Sequence, residues 1–373
     1  MSRFFVTGAQ GFVGRHLTAH LLASRPDTEV LGIGRSPELR DAFSHSVSWA
    51  GRRAPAPLPA ELARAARHHA YRYASIDLTA RASVTRALRA FRPRVVIHLA
   101  AALRDAPPAE LTQANVEATR ALMEAIADAG NAVGRVIVCS TGGVYAASEA
   151  SPPPFDETAA CHPLNPYSAS KLAAERVSRE LALRHGIDTM WARLFNVVGA
   201  GEDDRHAGPE FARQAAEIRL GVRPAVLDVG ELETTRDFVD VRDVAIALTS
   251  LADHGSAGET YNVATGVETS TRSLLQRVLE GAGLDHRVAL RRHPARGAGP
   301  SRHFADIRRL RVLGFRPRFD LARSACDMVA YYLTQVAAAA EGARAPVDTG
   351  EGRQDRAGAG GSVRAWAAPG SAE

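Results

Sequence analysis

The first two dozen residues constrain this chain more than any other stretch. Arg3-Phe4-Phe5-Val6-Thr7 is an apolar, strand-forming run that leads directly into Gly8-Ala9-Gln10-Gly11-Phe12-Val13-Gly14, and helical spacing follows from Val13 to Ser24. A glycine turn between a strand and a helix lets the backbone approach an anion, which the helix N-terminus stabilises. Gly8 and Gly11 suit close approach to a pyrophosphate, with Phe12 and Val13 opening the helix beside it, and Gly14 suits close packing of helix on sheet. Ordinary turns also contain glycine. The strand–turn–helix setting is what points to a dinucleotide.

The alternation of strand and helix continues down the chain. Strand-like runs at 29–34, 71–76, 94–99, 135–140 and 188–194 are separated by helical patterns at 79–91 and 111–129 and by one that follows Asn165-Pro166-Tyr167 to about 184. This order predicts the α/β class, a doubly wound parallel sheet covered on both faces. The polar stretch 36–69 reads as a loop with a surface helix. Beyond Gly199 the alternation weakens, while glycine, proline and charge rise. The expected organisation is therefore a dinucleotide-binding domain over 1–198, with elements near 236–263 returning to it. A smaller substrate-binding α/β domain is expected over most of 199–336, and a disordered, Ala/Gly/Ser-rich tail over 337–373.

Bulk composition narrows the function by exclusion. The chain has 373 residues, 46% hydrophobic and 23% charged, enough for one large or two moderate cores. No apolar run approaches the ~18 residues that span a bilayer, and the N-terminus enters a strand at once, so no membrane partner is expected. Three cysteines, Cys139, Cys161 and Cys326, show no metal-like spacing, which points to no metal and to a reducing, cytoplasmic compartment. The net charge of +5 comes from dispersed arginines without a nucleic-acid-binding signature, so no nucleic acid partner is expected. A modest positive balance suits ligands that carry phosphate.

Of the 46 basic residues only Lys171 is lysine. Arginine replaces lysine well on a wet surface but poorly where a compact ammonium must reach a small target. Lys171 closes Tyr167-Ser168-Ala169-Ser170-Lys171, and residues four apart share a helix face. A phenol titrates near ~10, and a neighbouring ammonium is expected to lower it toward useful acid–base range. Thr141 stands in Cys139-Ser140-Thr141-Gly142-Gly143, at the C-terminal edge of a parallel strand, where ligands bind. Its hydroxyl is placed to bond a reacting oxygen or merely to cap the loop. Cys139 and His98 lie in apolar strands and read as core.

The end of the second strand bears on the cofactor. Enzymes that bind NAD place an acid there for the ribose 2′-hydroxyl, but this chain runs Gly32-Ile33-Gly34-Arg35-Ser36, with no acid before Glu38. Arg35 can clamp a 2′-phosphate with Ser36 as second donor, which favours NADP(H) over NAD(H). A solvated loop arginine is the alternative. Asp77, with Leu78 beside it, either accepts from the adenine amino group or caps the next helix. Leu99, Ala100 and Ala101 end the fourth strand on the same side.

These motifs together resemble the extended short-chain dehydrogenase/reductase family, in the branch that modifies nucleotide-activated sugars. The resemblance covers residues 3–335 and rests on TGAQGFVG at 7–14, HLAA at 98–101, STGGVY at 140–145, YSASK at 167–171, RLFNVVG at 193–199 and RDFVDVRD at 236–243. Within that branch, 211–218 and 229–238 are similar to GDP-6-deoxy-4-keto-mannose reductases. The resemblance implies a Rossmann fold, a homodimer and a nucleotide-sugar substrate. It also implies cofactor contact at Leu194, a catalytic set of Thr141, Tyr167 and Lys171, and diphosphate contact at Asn196, Arg236 and Arg296. Those reductases carry His and Pro where this chain has Val197 and Ala200, and an acid that the 296–301 loop lacks. Dehydratases of the family carry Asp-Glu where Gly142-Gly143 stands, so elimination of water is not expected. The implied activity is NAD(P)H-dependent reduction of a 4-keto sugar. A 4-epimerase with tightly held NAD and a catalytically silent NADP-binding sensor are the alternatives.

Overall fold

The computed structural model describes residues 2–36, 46–49, 52–55, 70–146, 152–284, 288–293 and 301–344. Strand β1 (Ser2–Thr7) leads through the glycine turn into helix α1 (Phe12–Ser24), and β2 (Thr28–Gly34) follows. A short antiparallel hairpin, β3 (Ser46–Trp49) and β4 (Arg52–Pro55), lies where a loop with a surface helix was expected, and the rest of 37–69 falls outside the described residues. Then come β5 (Tyr71–Ser75), α2 (Arg81–Phe91), β6 (Val95–His98), α3 (Ala118–Ala129) and β7 (Arg135–Thr141). A turn of helix, Pro108–Leu111, and a π-helical segment, Thr112–Glu117, lead into α3. Helix α4 (Pro166–His185) and β8 (Thr189–Leu194) follow.

The strands pair in parallel in the order β5-β2-β1-β6-β7-β8, and β13 (Thr260–Val263) completes the sheet at the β8 edge. The chain reverses direction across the sheet between β1 and β6. Such a switch point opens a crevice at the carboxyl ends of the strands, the ligand-binding place in this architecture. Period-two alternation covers both faces. Phe4 and Val6 join one core with Leu17, Leu21, Ile97 and Leu248, while Phe5 joins the other with Ile33, Leu88, Leu122 and Trp191.

The later half shuttles between the large sheet and a separate core. Strand β9 (Asn196–Val198) leads to α5 (Ala207–Arg219) and β10 (Val226–Val229). Two short strands, β11 (Thr235–Arg236) and β12 (Phe238–Asp240), precede α6 (Val241–His254), which packs on α1. Strand β14 (Thr269–Ser270), helix α7 (Thr271–Ala282), β15 (Ala289–Arg292), β16 (Arg302–His303) and α8 (Leu321–Arg344) complete it. Helices α5, α7 and α8 bury a separate core of Phe211, Leu227, Leu274, Met328 and Tyr332.

Two expected boundaries move. Ala305, Ile307, Leu310 and Phe315, expected in the second domain, are buried in the first core. Helix α8 runs on past Val336 to Arg344, because Tyr331, Tyr332 and Val336 give it an apolar face against α5 and α7 that extends the helix beyond the expected break. Residues 345–373 lie outside the described residues. Among the described residues no helix is long and apolar enough to cross a membrane.

Candidate active site

At the switch point the glycine turn is forced by close approach. Gly8 has φ +68°, and a Cβ there would lie 2.8 Å from the Ala100 nitrogen and 3.1 Å from the Leu99 carbonyl carbon. A Cβ on Gly14 would meet the Gly8 carbonyl oxygen at 2.1 Å, so Gly14 packs against the turn itself rather than only against the sheet. Gly11 is the N-cap of α1, with no side-chain cap and no acid in the first turn. The first-turn N–H groups of α1, flanked by Phe12 and Val13, thus meet no competing carboxylate, which fits a pyrophosphate.

Thr7, His98 and Asn115 fix the floor below. The Thr7 hydroxyl accepts from the Ala100 N–H (3.2 Å) and donates to His98 Nδ1 (2.7 Å). His98 Nε2–H donates to Thr119 Oγ1 (2.8 Å), whose proton goes to the Asn115 carbonyl (2.6 Å). Burial, reinforced by Lys171, pushes the imidazole down to about 3, so it is a neutral structural bridge between β6, β1 and α3. The Asn115 side chain accepts from Ala102 N–H (2.7 Å) and donates to Ser170 Oγ (2.9 Å), which donates to the Tyr167 carbonyl (2.8 Å). Sequence periodicity gave no sign of Asn115, because its role depends on a π-helical turn and on partners far along the chain.

The Tyr167–Lys171 pair opens α4. Asn165 Oδ1 caps the helix by accepting from Ser168 N–H (2.9 Å), and Pro166 occupies its first turn. Lys171 is 6% exposed, above the centre of the sheet and near His98 and Cys139. Among the described residues none accepts a hydrogen bond from its ammonium, and burial pushes its titration down. Tyr167 departs from expectation. Burial, with the Cys139 thiol as a secondary cause, raises the phenol to about 12 instead of lowering it. Desolvation sets the direction of the shift, so the hydroxyl stays protonated. Cys139 is itself pushed up to about 12 by burial and is inert core.

Thr141 ends β7, and its hydroxyl accepts from Gly143 N–H (3.1 Å), leaving its own proton for a ligand oxygen. A Cβ on Gly143 would lie 2.6 Å from Ser168 Oγ and 3.4 Å from Thr141 Oγ1, so Thr141 and the start of α4 converge at that point. A Cβ on Gly142 would stand 2.8 Å from the Phe195 ring. Gly142, closed against that ring, leaves no room for an acidic side chain without a shift of Phe195. The Gly142 carbonyl accepts from His303 Nε2–H (3.0 Å), on a ring packed between Phe155 and Phe195. Burial pushes His303 down to about 4, which keeps it a neutral donor.

Beyond that ring, His303 pairs in register with Arg236 across β16 and β11. Arg236 is half-buried, donates to the Thr235 carbonyl (2.7 Å), and is pushed down by burial and then by Arg104. Asn196 donates to the Asp237 carbonyl through its side chain (3.2 Å), so it lies beside the strand end that carries Arg236. Arg296 lies outside the described residues. Arg35 and Ser36 are exposed at the end of β2. Asp77 Oδ1 accepts from the Thr79 N–H (2.9 Å) and hydroxyl (2.7 Å), which hold the carboxyl below its usual range. Leu78 is buried behind it, and Leu99, Ala100, Ala101 and Leu194 are partly buried at the strand ends. Among the described residues no group of three or more His, Cys, Asp or Glu could hold a metal ion.

Comparison with known proteins decides the lineage. The profile of the NAD dependent epimerase/dehydratase family matches residues 4–264. The chain belongs to this family. GDP-6-deoxy-D-mannose reductase of Pseudomonas aeruginosa is 32% identical over 300 residues, covering 79% of this chain and 84% of that one. UDP-glucose 4-epimerase of Mycolicibacterium smegmatis is 31% identical over 337 residues, covering 88% and 98%. Among solved structures, RMD from Pseudomonas aeruginosa complexed with NADPH superposes with a TM-score of 0.71 at 29% identity, covering 90% of this chain and all of that one. Members of the family thus include a reductase and an epimerase with this architecture, and the site residues must distinguish them.

Proposed function

We propose that the protein is an NADPH-dependent 4-ketoreductase of a nucleotide-activated deoxysugar, with a GDP-linked 4-keto-6-deoxymannose as the substrate that fits best. The observation that carries this is the Thr141–Gly143 loop. It carries Gly142 and Gly143 where an eliminating enzyme needs its acid–base pair, with Gly142 closed against the Phe195 ring, while Thr141 keeps its hydroxyl proton for a ligand oxygen and Tyr167 opens α4 beside it. NADPH held by its pyrophosphate at the glycine turn would supply the hydride from its nicotinamide. Tyr167 gives its Oη proton to the ketone oxygen as charge develops there, a step for which a phenol that stays protonated is suited. Thr141 orients that oxygen. The Lys171 ammonium is placed to hold the nicotinamide ribose and to stabilise the phenolate left behind. Arg236 and Asn196 are assigned to the diphosphate, with Arg296 as a further cation.

Net reduction is favoured over epimerisation by the Arg35–Ser36 turn, which suits an exchangeable NADPH, and the reductase relative supports the same choice. A silent sensor would have no use for a half-buried phenol beside a buried lysine. The protein is further proposed to act as a homodimer, for which exposed Leu164 and Leu183 offer apolar surface at α4, and in the cytoplasm, in keeping with three free cysteines. The test is a matched assay of GDP- and UDP-linked 4-keto sugars with NADPH, on wild type and Arg236→Ala. We expect turnover of the GDP-linked sugar and a KM higher by roughly ten- to hundredfold in the variant, the worth of one charge-assisted phosphate contact. An unchanged KM would remove the diphosphate from this face, and preference for the UDP-linked sugar would reassign the base.

A further inference from the structure

We propose that Tyr73 and Gly34 form a steric and hydrogen-bonded lock that sets the choice between NADPH and NADH. This rests on the reading of NADP(H) as the cofactor. Strands β2 and β5 run parallel with Gly32 opposite Tyr73 and Gly34 opposite Ser75. On their shared face two tyrosines lean along the sheet over two glycines. Tyr71 reaches over Gly32, where a Cβ would lie 2.7 Å from its hydroxyl, and Tyr73 reaches over Gly34, where a Cβ would lie 2.6 Å from its hydroxyl. Gly34 stands twenty positions after Gly14, the spacing at which an NAD-binding chain places the carboxylate for the ribose 2′-hydroxyl.

The Tyr73 phenol occupies the space that such a carboxylate needs. It is not free to swing aside, since its hydroxyl donates to the Ser36 carbonyl at 3.1 Å and its ring packs at the edge of the core. The Ser75 hydroxyl donates to the Arg35 carbonyl at 3.4 Å. Both carbonyls of the Arg35–Ser36 turn are therefore tied to β5, while the exposed Arg35 guanidinium and Ser36 hydroxyl remain for a 2′-phosphate. One tyrosine thus excludes the group that selects NADH and steadies the groups that select NADPH. Only its oxygen is in the way, because the same Gly34 Cβ would be 3.5 Å from Cζ and 3.6 Å from Cε2, ordinary contact distances.

That last detail makes the lock testable by non-additivity. Dissociation constants for NADPH and NADH, read by nicotinamide fluorescence, and melting temperatures would be measured for wild type, Tyr73→Phe, Gly34→Asp and the double variant. Tyr73→Phe should weaken NADPH three- to tenfold, with NADH and melting temperature nearly unchanged. Gly34→Asp alone should lose NADPH without gaining NADH and should melt lower. Adding Tyr73→Phe to it should restore the melting temperature and tighten NADH at least tenfold over the single variant. If Gly34→Asp alone binds NADH as tightly as the double variant does, or if Tyr73→Phe leaves the ratio of the two constants unmoved, the lock is overturned. A wild type that prefers NADH would instead overturn the cofactor reading, and additivity of the two substitutions would still decide the lock separately.

Discussion

Tyr167 is half-buried one helical turn before the only lysine of the chain, and burial decides its behaviour. A phenol raised to about 12 is a poor base but a fully protonated donor at neutral pH, which matches a reductive direction of reaction. Tyr167→Phe should lower the rate of a single turnover by ~10²–10⁴-fold, the worth of general acid catalysis, while the dissociation constant for NADPH changes by less than about twofold. Stopped-flow oxidation of NADPH checks this, and retention of a tenth of the rate would contradict it. At this scale the sequence was informative. The lone lysine, the Asn-Pro helix start and the glycines at 8, 11 and 14 each have a local physical reason that a linear reading can find. Tyr73, Asn115 and His303 were not legible, because each acts on a partner distant in the chain, as His303 does on Gly142 161 residues away.

Among the elements, α4 carries both side chains proposed for catalysis and is anchored to β8 by a buried ion pair. Arg193 reaches Glu175 through two bonds of 2.7 and 3.2 Å, with the side chains 6% and 2% exposed, and also donates to the Tyr145 hydroxyl at 2.7 Å. Burial acts on both groups, yet their mutual attraction holds the Glu175 carboxyl below and the Arg193 guanidinium above their ordinary ranges. Glu175→Gln would strand the buried guanidinium. It should lower the unfolding free energy by about 3–5 kcal/mol, and a loss under 1 kcal/mol in urea titration would contradict this account. Strand and helix order was readable from periodicity because the sheet is parallel and alternates apolar faces. The pairing of β9 with β12 and of β11 with β16 was not, since strands of two or three residues have no period to read.

Over the whole molecule, the chain crosses repeatedly between the parallel sheet and the core of α5, α7 and α8, and its buried groups titrate in opposite senses. His98 and His303 are kept neutral, at about 3 and about 4 against an ordinary 6.5. The native state binds fewer protons than the unfolded chain between those values. Their contribution to stability is complete above pH 6.5 and is lost as pH falls, by up to ~1.4 kcal/mol per unit for each group. Buried Glu202, with Oε2 unpaired among the described residues, is raised by burial, so its contribution is complete below its ordinary 4.5 and is lost as pH rises. Comparing His98→Gln with wild type isolates one term. Between pH 6.5 and 5 the variant should show a slope of unfolding free energy against pH shallower by up to ~1.4 kcal/mol per unit, and identical slopes would contradict the assignment.

The central claim is that this site performs net reduction at the sugar C4, with its cofactor consumed in step. Its most direct test supplies NADPH carrying deuterium at the transferable position of the nicotinamide, together with the GDP-linked 4-keto-6-deoxymannose. Product is then followed by mass spectrometry and proton resonance, with NADPH loss read by absorbance. The account predicts one deuterium at C4 for each NADPH oxidised, with transfer at least ~10²-fold slower in Tyr167→Phe. Interconversion of C4 epimers without net loss of NADPH, or product formation without deuterium at C4, would contradict it.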